Sequence, residues 1–141
     1  MGQKLFRTGA SGSGDVMKAL NNLLAGANFR AVSEAVAIGE KFGLDPALII
    51  EIVNASTGRS FATEAAFKHH VITGKYAAGF ALGLLTKDVK IASDLAGELG
   101  IMAPVCAVTF NALANAREAV GYNADFTVAH KHWTRTAAND R

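Results

Sequence analysis

The sequence predicts an all-α fold, a six-helix bundle with one long member at its N-terminal end, and three observations carry that prediction. Apolar residues recur at three- and four-residue steps from about Asp15 to Phe42, the period of one helical face. Glycine and proline punctuate the rest at Gly43, Asp45-Pro46, Gly100, Pro104 and Gly121, where helices stop and restart. Only Lys4–Thr8 alternates weakly, as a short strand does, and a lone strand has no partner to satisfy its backbone.

In order, Lys4–Thr8 reads either as a disordered end or as the last strand of a sheet whose other strands lie outside this chain. From Asp15 to Phe42, Leu20, Leu24, Ala27, Ala31, Ala35, Ile38 and Phe42 form the expected buried stripe of a helix about 40 Å long. Gly26 and Gly39 weaken it by about 1 kcal/mol each unless close packing uses the missing side chain. Gly43 is the expected stop. Asp45 then caps a second helix with proline at its first position, buried through Leu48, Ile49, Ile52 and Val53 and ended by Asn54–Gly58. Ser60 or Thr63 caps a third, through about His70, before a connector at Thr73-Gly74. Gly79–Gly83 reads as a turn region with Phe80 and Leu82 packed inward. Thr86 or a neighbour opens a fourth helix to about Leu99, with Val89, Ala92, Leu95 and Ala96 as its stripe and Gly100 closing it. Pro104 starts a fifth, to about Val120, buried through Val105, Val108, Leu113 and Ala116. Asp125 begins the last, through Val128, His132 and Trp133, fraying near Asn139.

At 141 residues, half of them apolar and 18% charged, the chain can bury a real core as one domain and is not disordered in character. A net charge of +2 with dispersed Lys and Arg points to no nucleic acid and no membrane surface. No apolar stretch approaches the roughly 20 residues of a spanning helix, and MGQKLFRTG has no secretory h-region, so a cytoplasmic setting is expected. The single cysteine, Cys106, is read as core. His69-His70 and His130-x-His132 do not place two imidazoles on one helical face, and no metal site is expected. Arg59, after a helix end, is read as a carbonyl cap or surface pair.

The stretch with chemical content is Gly12–Asn22, GSGDVMKALNN. It is not a dinucleotide fingerprint: Gly12-x-Gly14 is followed by Met17 where the third glycine belongs, and no further strands supply a parallel sheet. A glycine turn feeding a helix can instead offer free N–H groups to an anion. Lys18 and Asn22, four apart, share a helix face, with Val16, Met17, Leu20, Leu23 and Leu24 as an apolar surround in which an ammonium's proton affinity could be tuned. Spacing alone leaves a second reading open, with Lys18 snorkelling to water and Asn22 on a solvated side.

The glycines of GASGSG followed by Lys18, Asn21 and Asn22 resemble the start of the helical domain of the β-hydroxyacid dehydrogenases, the 3-hydroxyisobutyrate dehydrogenases being the nearest members. GFALGLLTKDVKIA, with Phe80, Lys87 and Asp88, is similar to that family's second lysine motif. The resemblance covers nearly the whole chain but only the C-terminal half of such an enzyme. It implies a C-terminal domain like that of 6-phosphogluconate dehydrogenase, with the long helix lying between domains. Residues 1–10 would be the last strand and linker of a nucleotide-binding domain, and 11–141 the helical catalytic and dimerisation domain. The activity implied is NAD- or NADP-dependent oxidation of a small 3-hydroxy acid, the cofactor being held mainly by the other domain, in a homo-oligomer. In that scheme Lys18 is the catalytic acid–base, Gly12, Gly14 and Asn22 border the substrate, and Phe80 and Lys87 approach the cofactor. Asp88 holds the loop or caps the helix, and Asn21 is structural. The competing reading is a helical oligomerisation module derived from this family that has lost catalysis.

Overall fold

The structure is a computed structural model, and it describes residues 11–139. Helix α1 runs over Ser13–Phe42, α2 over Pro46–Asn54, a π-helix over Ala62–Val71, α3 over Leu82–Glu98 and α4 over Pro104–Val120. A 3-10 turn, Phe126–Val128, leads into α5, Ala129–Asn139. These make the expected six helices, and no sheet forms among the described residues. The expected strand Lys4–Thr8 lies outside them. No helix among them is long and apolar enough to cross a membrane.

Phe29, fully buried near the middle of α1, is the hub of the core. Its ring lies 5.1 Å from Phe67 of the π-helix, 5.0 Å from Phe126 and 5.9 Å from Trp133 of α5. Val36, Leu82, Leu85, Val89 and Leu113 extend this cluster between α1, α3 and α4. A smaller cluster of Ala19, Ala92 and Cys106, flanked by Leu23 and Ala103, fastens the N-terminal turns of α1 to α3 and α4.

The buried face of α1 differs from the expected one. Ala19, Gly26, Phe29, Ser33 and Val36 face the core, whereas Leu20, Leu24, Ile38 and Phe42 are 38%, 62%, 71% and 84% exposed. Both faces carry residues at helical spacing, and the larger side chains lie outside. The inner face is chosen by fit: a Cβ at Gly26 would sit 3.1 Å from Leu113 and 3.4 Å from Thr109 and Val89. The same rotation recurs on α2, where Ile50 is buried but Leu48 and Ile52 are exposed. On α4, Cys106 and Thr109 face inward while Val105 and Val108 are exposed.

Two helix starts also move, and two local details differ. Helix α3 begins at Leu82, four residues before Thr86, whose buried hydroxyl donates back to the Leu82 carbonyl at 2.7 Å. The third helix is wound with i→i+5 bonds, such as Ile72 N–H to the Phe67 carbonyl at 2.9 Å. Ser60 and Thr63 exchange side-chain and backbone bonds at its start, as capping residues do. Asp125 caps the 3-10 turn rather than α5 itself, and Asp45 precedes α2 without a side-chain capping bond.

Candidate functional site

Helix α1 opens at Gly12, in a left-handed conformation with φ of 87° that favours glycine. Its carbonyl accepts the first helical bond, from Val16 N–H at 3.1 Å. Gly12 and Gly14 are exposed, with open space where a side chain would stand. Lys18 and Asn22 follow on the edge of α1 that meets α3.

What joins them is Asp88. On α3 the inward positions Leu85, Val89 and Ala92 bracket it, so its carboxylate is buried, with only 11% of the side chain exposed. A buried carboxylate requires partners. Asn22 Nδ2 donates to Asp88 Oδ2 at 2.5 Å, and Lys18 Nζ stands 3.9 Å from the same oxygen. Asn21, although about 100° round the helix, reaches Asn22 Oδ1 with its amide at 3.4 Å. One carboxylate therefore holds the amide and stands near the ammonium. The expected loop or capping role of Asp88 is corrected: it is the seventh residue of α3 and links two helices.

The apolar surround expected around Lys18 is not closed in this chain. Its side chain is 61% exposed, and Met17, Leu20 and Leu24 turn outward instead of covering it. Lys87 precedes Asp88 and points to solvent, and it makes no ion pair among the described residues. Its ammonium is exposed one residue before the buried Asp88.

Phe80 lies just before α3, half-buried against the main core. Asp125 anchors its segment: the carboxylate accepts from Gly79 N–H at 2.8 Å, from Thr127 N–H at 3.2 Å and from the Thr127 hydroxyl. Phe126 N–H donates to the Phe80 carbonyl at 2.9 Å, and Leu82 N–H to that of Ala124 at 2.7 Å. Burial works to raise the Asp125 pKa, but the bonds from Thr127, Gly79 and Ala78 outweigh it and hold the carboxyl below its ordinary value. Sequence reasoning gave Asp125 only a helix start. No periodic signal marks a carboxylate that ties two distant turns.

A second buried polar pair lies across the bundle. Ser33 Oγ and His130 Nδ1 share a hydrogen bond of 2.7 Å, and the imidazole stands edge-on to Phe67 at 5.2 Å. Burial pushes the His130 pKa down to about 4. The histidine, weighed in sequence only as a metal ligand, is a neutral core residue at pH 7.

A profile of the family described as "NAD-binding of NADP-dependent 3-hydroxyisobutyrate dehydrogenase" matches residues 12–133. The chain is 33% identical over 133 residues to the 2-(hydroxymethyl)glutarate dehydrogenase of Eubacterium barkeri, covering 94% of this chain and 44% of that one. It is 30% identical over 139 residues to the mitochondrial 3-hydroxyisobutyrate dehydrogenase of Drosophila melanogaster, covering 92% and 42%. Its fold matches the 3-hydroxyisobutyrate dehydrogenase of Salmonella typhimurium with a TM-score of 0.78 at 27% identity, over 85% of this chain and 42% of that one. The chain thus spans less than half the length of these relatives.

Proposed function

Because the chain belongs to the NAD-binding family of NADP-dependent 3-hydroxyisobutyrate dehydrogenases, we propose that it is the C-terminal, acid–base half of an NAD(P)-dependent dehydrogenase acting on a small 3-hydroxy acid. The observation that carries this reading is the convergence of Lys18 and Asn22 on Asp88 from two helices. When bound, the nicotinamide ring supplies the hydride acceptor.

Lys18 Nζ takes the proton of the substrate hydroxyl as hydride leaves the same carbon, and returns it in the reduction. Asn22, fixed through its amide to Asp88, hydrogen-bonds the substrate beside the lysine. Asp88 acts through both: it positions Asn22 and holds Lys18 within reach. The exposed glycines Gly12 and Gly14 admit the substrate to the start of α1, whose N–H groups favour a carboxylate. Lys87 meets an anionic group of NAD or NADP by charge, and Phe80 walls the nicotinamide end on a segment that Asp125 holds rigid. The dinucleotide's main binding surface and the rest of the substrate pocket belong to a nucleotide-binding half, which also covers the open side of Lys18. The assembly is a homo-oligomer in the cytoplasm.

Joining the chain to a nucleotide-binding half and assaying 3-hydroxy acids with NAD and with NADP tests this reading. Turnover of a small 3-hydroxy acid is expected. A folded, cofactor-binding protein that turns over none of them would leave the non-catalytic oligomerisation module.

A further inference from the structure

Between α2 and the π-helix lies a cavity of about 450 Å³, and we infer that it binds a free α-amino acid with an aliphatic side chain, apart from the Lys18 group. Ala47, Ile50, Glu51 and Asn54 of α2 form one wall, and Lys68 and Ile72 of the π-helix form the other. The volume lies within the roughly 300–1,000 Å³ that small-ligand sites occupy. Positions three, four and seven beyond Ala47 share its side of a helix, so the α2 wall is one continuous face.

Asn54 is the residue that asks for a ligand. Its Nδ2 donates to the Thr63 carbonyl at 3.1 Å, and Thr63 is fixed in turn by its bonds with Ser60. The amide therefore cannot turn over without setting two oxygens together. Its Oδ1 is buried and has no donor among the described residues. A buried acceptor left unpaired is costly, and a donor arriving from the cavity removes that cost.

Charge selects the ligand. Glu51, three residues before Asn54 on the same face, adds a carboxylate to this wall, and Lys68 brings an ammonium from the opposite one. Neither makes an ion pair among the described residues, with the other or with any third group. Two acceptors on α2 fit an ammonium, the cation on the π-helix fits a carboxylate, and Ile50 and Ile72 fit an aliphatic chain. A plain carboxylic acid leaves Glu51 and Asn54 unmet; a plain amine leaves Lys68 unmet. An α-amino acid carries both charges on one carbon. The cavity is also distinct from the proposed catalytic group: α2 meets α1 where Ile49 closes over Gly39, about 30 Å along the helix from Lys18 at 1.5 Å per residue.

Titration of the full 141-residue chain with L-leucine, followed by amide NMR shifts, tests the site. Saturable shifts centred on α2 and the π-helix are expected. Leucine without its ammonium, 4-methylpentanoate, and leucine without its carboxylate, 3-methylbutylamine, should each bind at least about tenfold more weakly. Lys68→Gln should weaken leucine about tenfold and leave the amine unaffected, whereas Glu51→Gln should weaken leucine about tenfold and leave 4-methylpentanoate no weaker. Both side chains are exposed, so far-UV circular dichroism should not change in either variant. Absence of any saturable shift with L-leucine at tens of millimolar would overturn the site. Leucine binding that both variants leave unchanged would overturn its location in this cavity. Either single-charge analogue binding as tightly as leucine would overturn recognition of the zwitterion.

Discussion

Asp88 shows how a single buried side chain can organise a site that is otherwise exposed. Its carboxylate exchanges water for the Asn22 amide and the approach of Lys18, so removing it leaves a polar cavity and an unpaired amide. Asp88→Ala should cost about 1–3 kcal/mol of stability, read from urea midpoints. In the two-domain protein it should also lower kcat about tenfold or more with little change in the cofactor KM. Unchanged kcat in a folded variant would reduce Asp88 to a structural link. His130 is the second residue with a measurable signature. Its folded pKa of about 4 lies below the ordinary value of 6.5, so between these pH values the unfolded chain binds the extra proton. Stability is then complete above about pH 6.5 and falls as the pH drops toward 4, by up to about 3 kcal/mol. Asp125, whose carboxyl is held below its ordinary value, adds a loss in the same direction at still lower pH. Urea unfolding across pH 4–7 should show the first slope in the native chain and a flatter one in His130→Phe.

At the scale of elements, the number, order and approximate limits of the helices were legible because glycine and proline mark them. The rotations were not. On α1, Leu, Ile and Phe on one face outweigh the Gly26, Phe29, Ser33 and Val36 of the other, and hydropathy favours the outer line. Which face is buried depends on what can approach it, and close approach is invisible in periodicity. Gly83 illustrates this: read as a turn, it lies in the first turn of α3, where a Cβ would overlap the Tyr122 ring. Gly97 in the same helix has open space. Gly83→Ala should therefore destabilise by about 1–3 kcal/mol through overpacking, whereas Gly97→Ala should stabilise by up to about 1 kcal/mol. Paired chemical denaturation curves separate the two; equal shifts of one sign would contradict the packing at Tyr122.

For the molecule as a whole, two short motifs in the right order, Lys18 with Asn22 and Lys87 with Asp88, carried the resemblance to the family before any packing was known. Their assembly needed three dimensions, because Asn22 and Asp88 are 66 residues apart. The exposure of Lys18 and of the outer α1 face fits the proposed reading of the chain as one half of a larger enzyme. The proposed acid–base lysine has its amide and carboxylate in place but lacks the cover that excludes water. The most direct measurement is therefore steady-state kinetics across about pH 6–10 for Lys18→Ala and Lys87→Ala in a protein carrying both halves. Loss of the proton-transfer group should lower kcat at least about 10²-fold in Lys18→Ala with cofactor binding intact. Lys87→Ala should chiefly raise the cofactor KM. A Lys18→Ala protein that keeps near-normal kcat over that range would contradict the assignment of catalysis to this lysine.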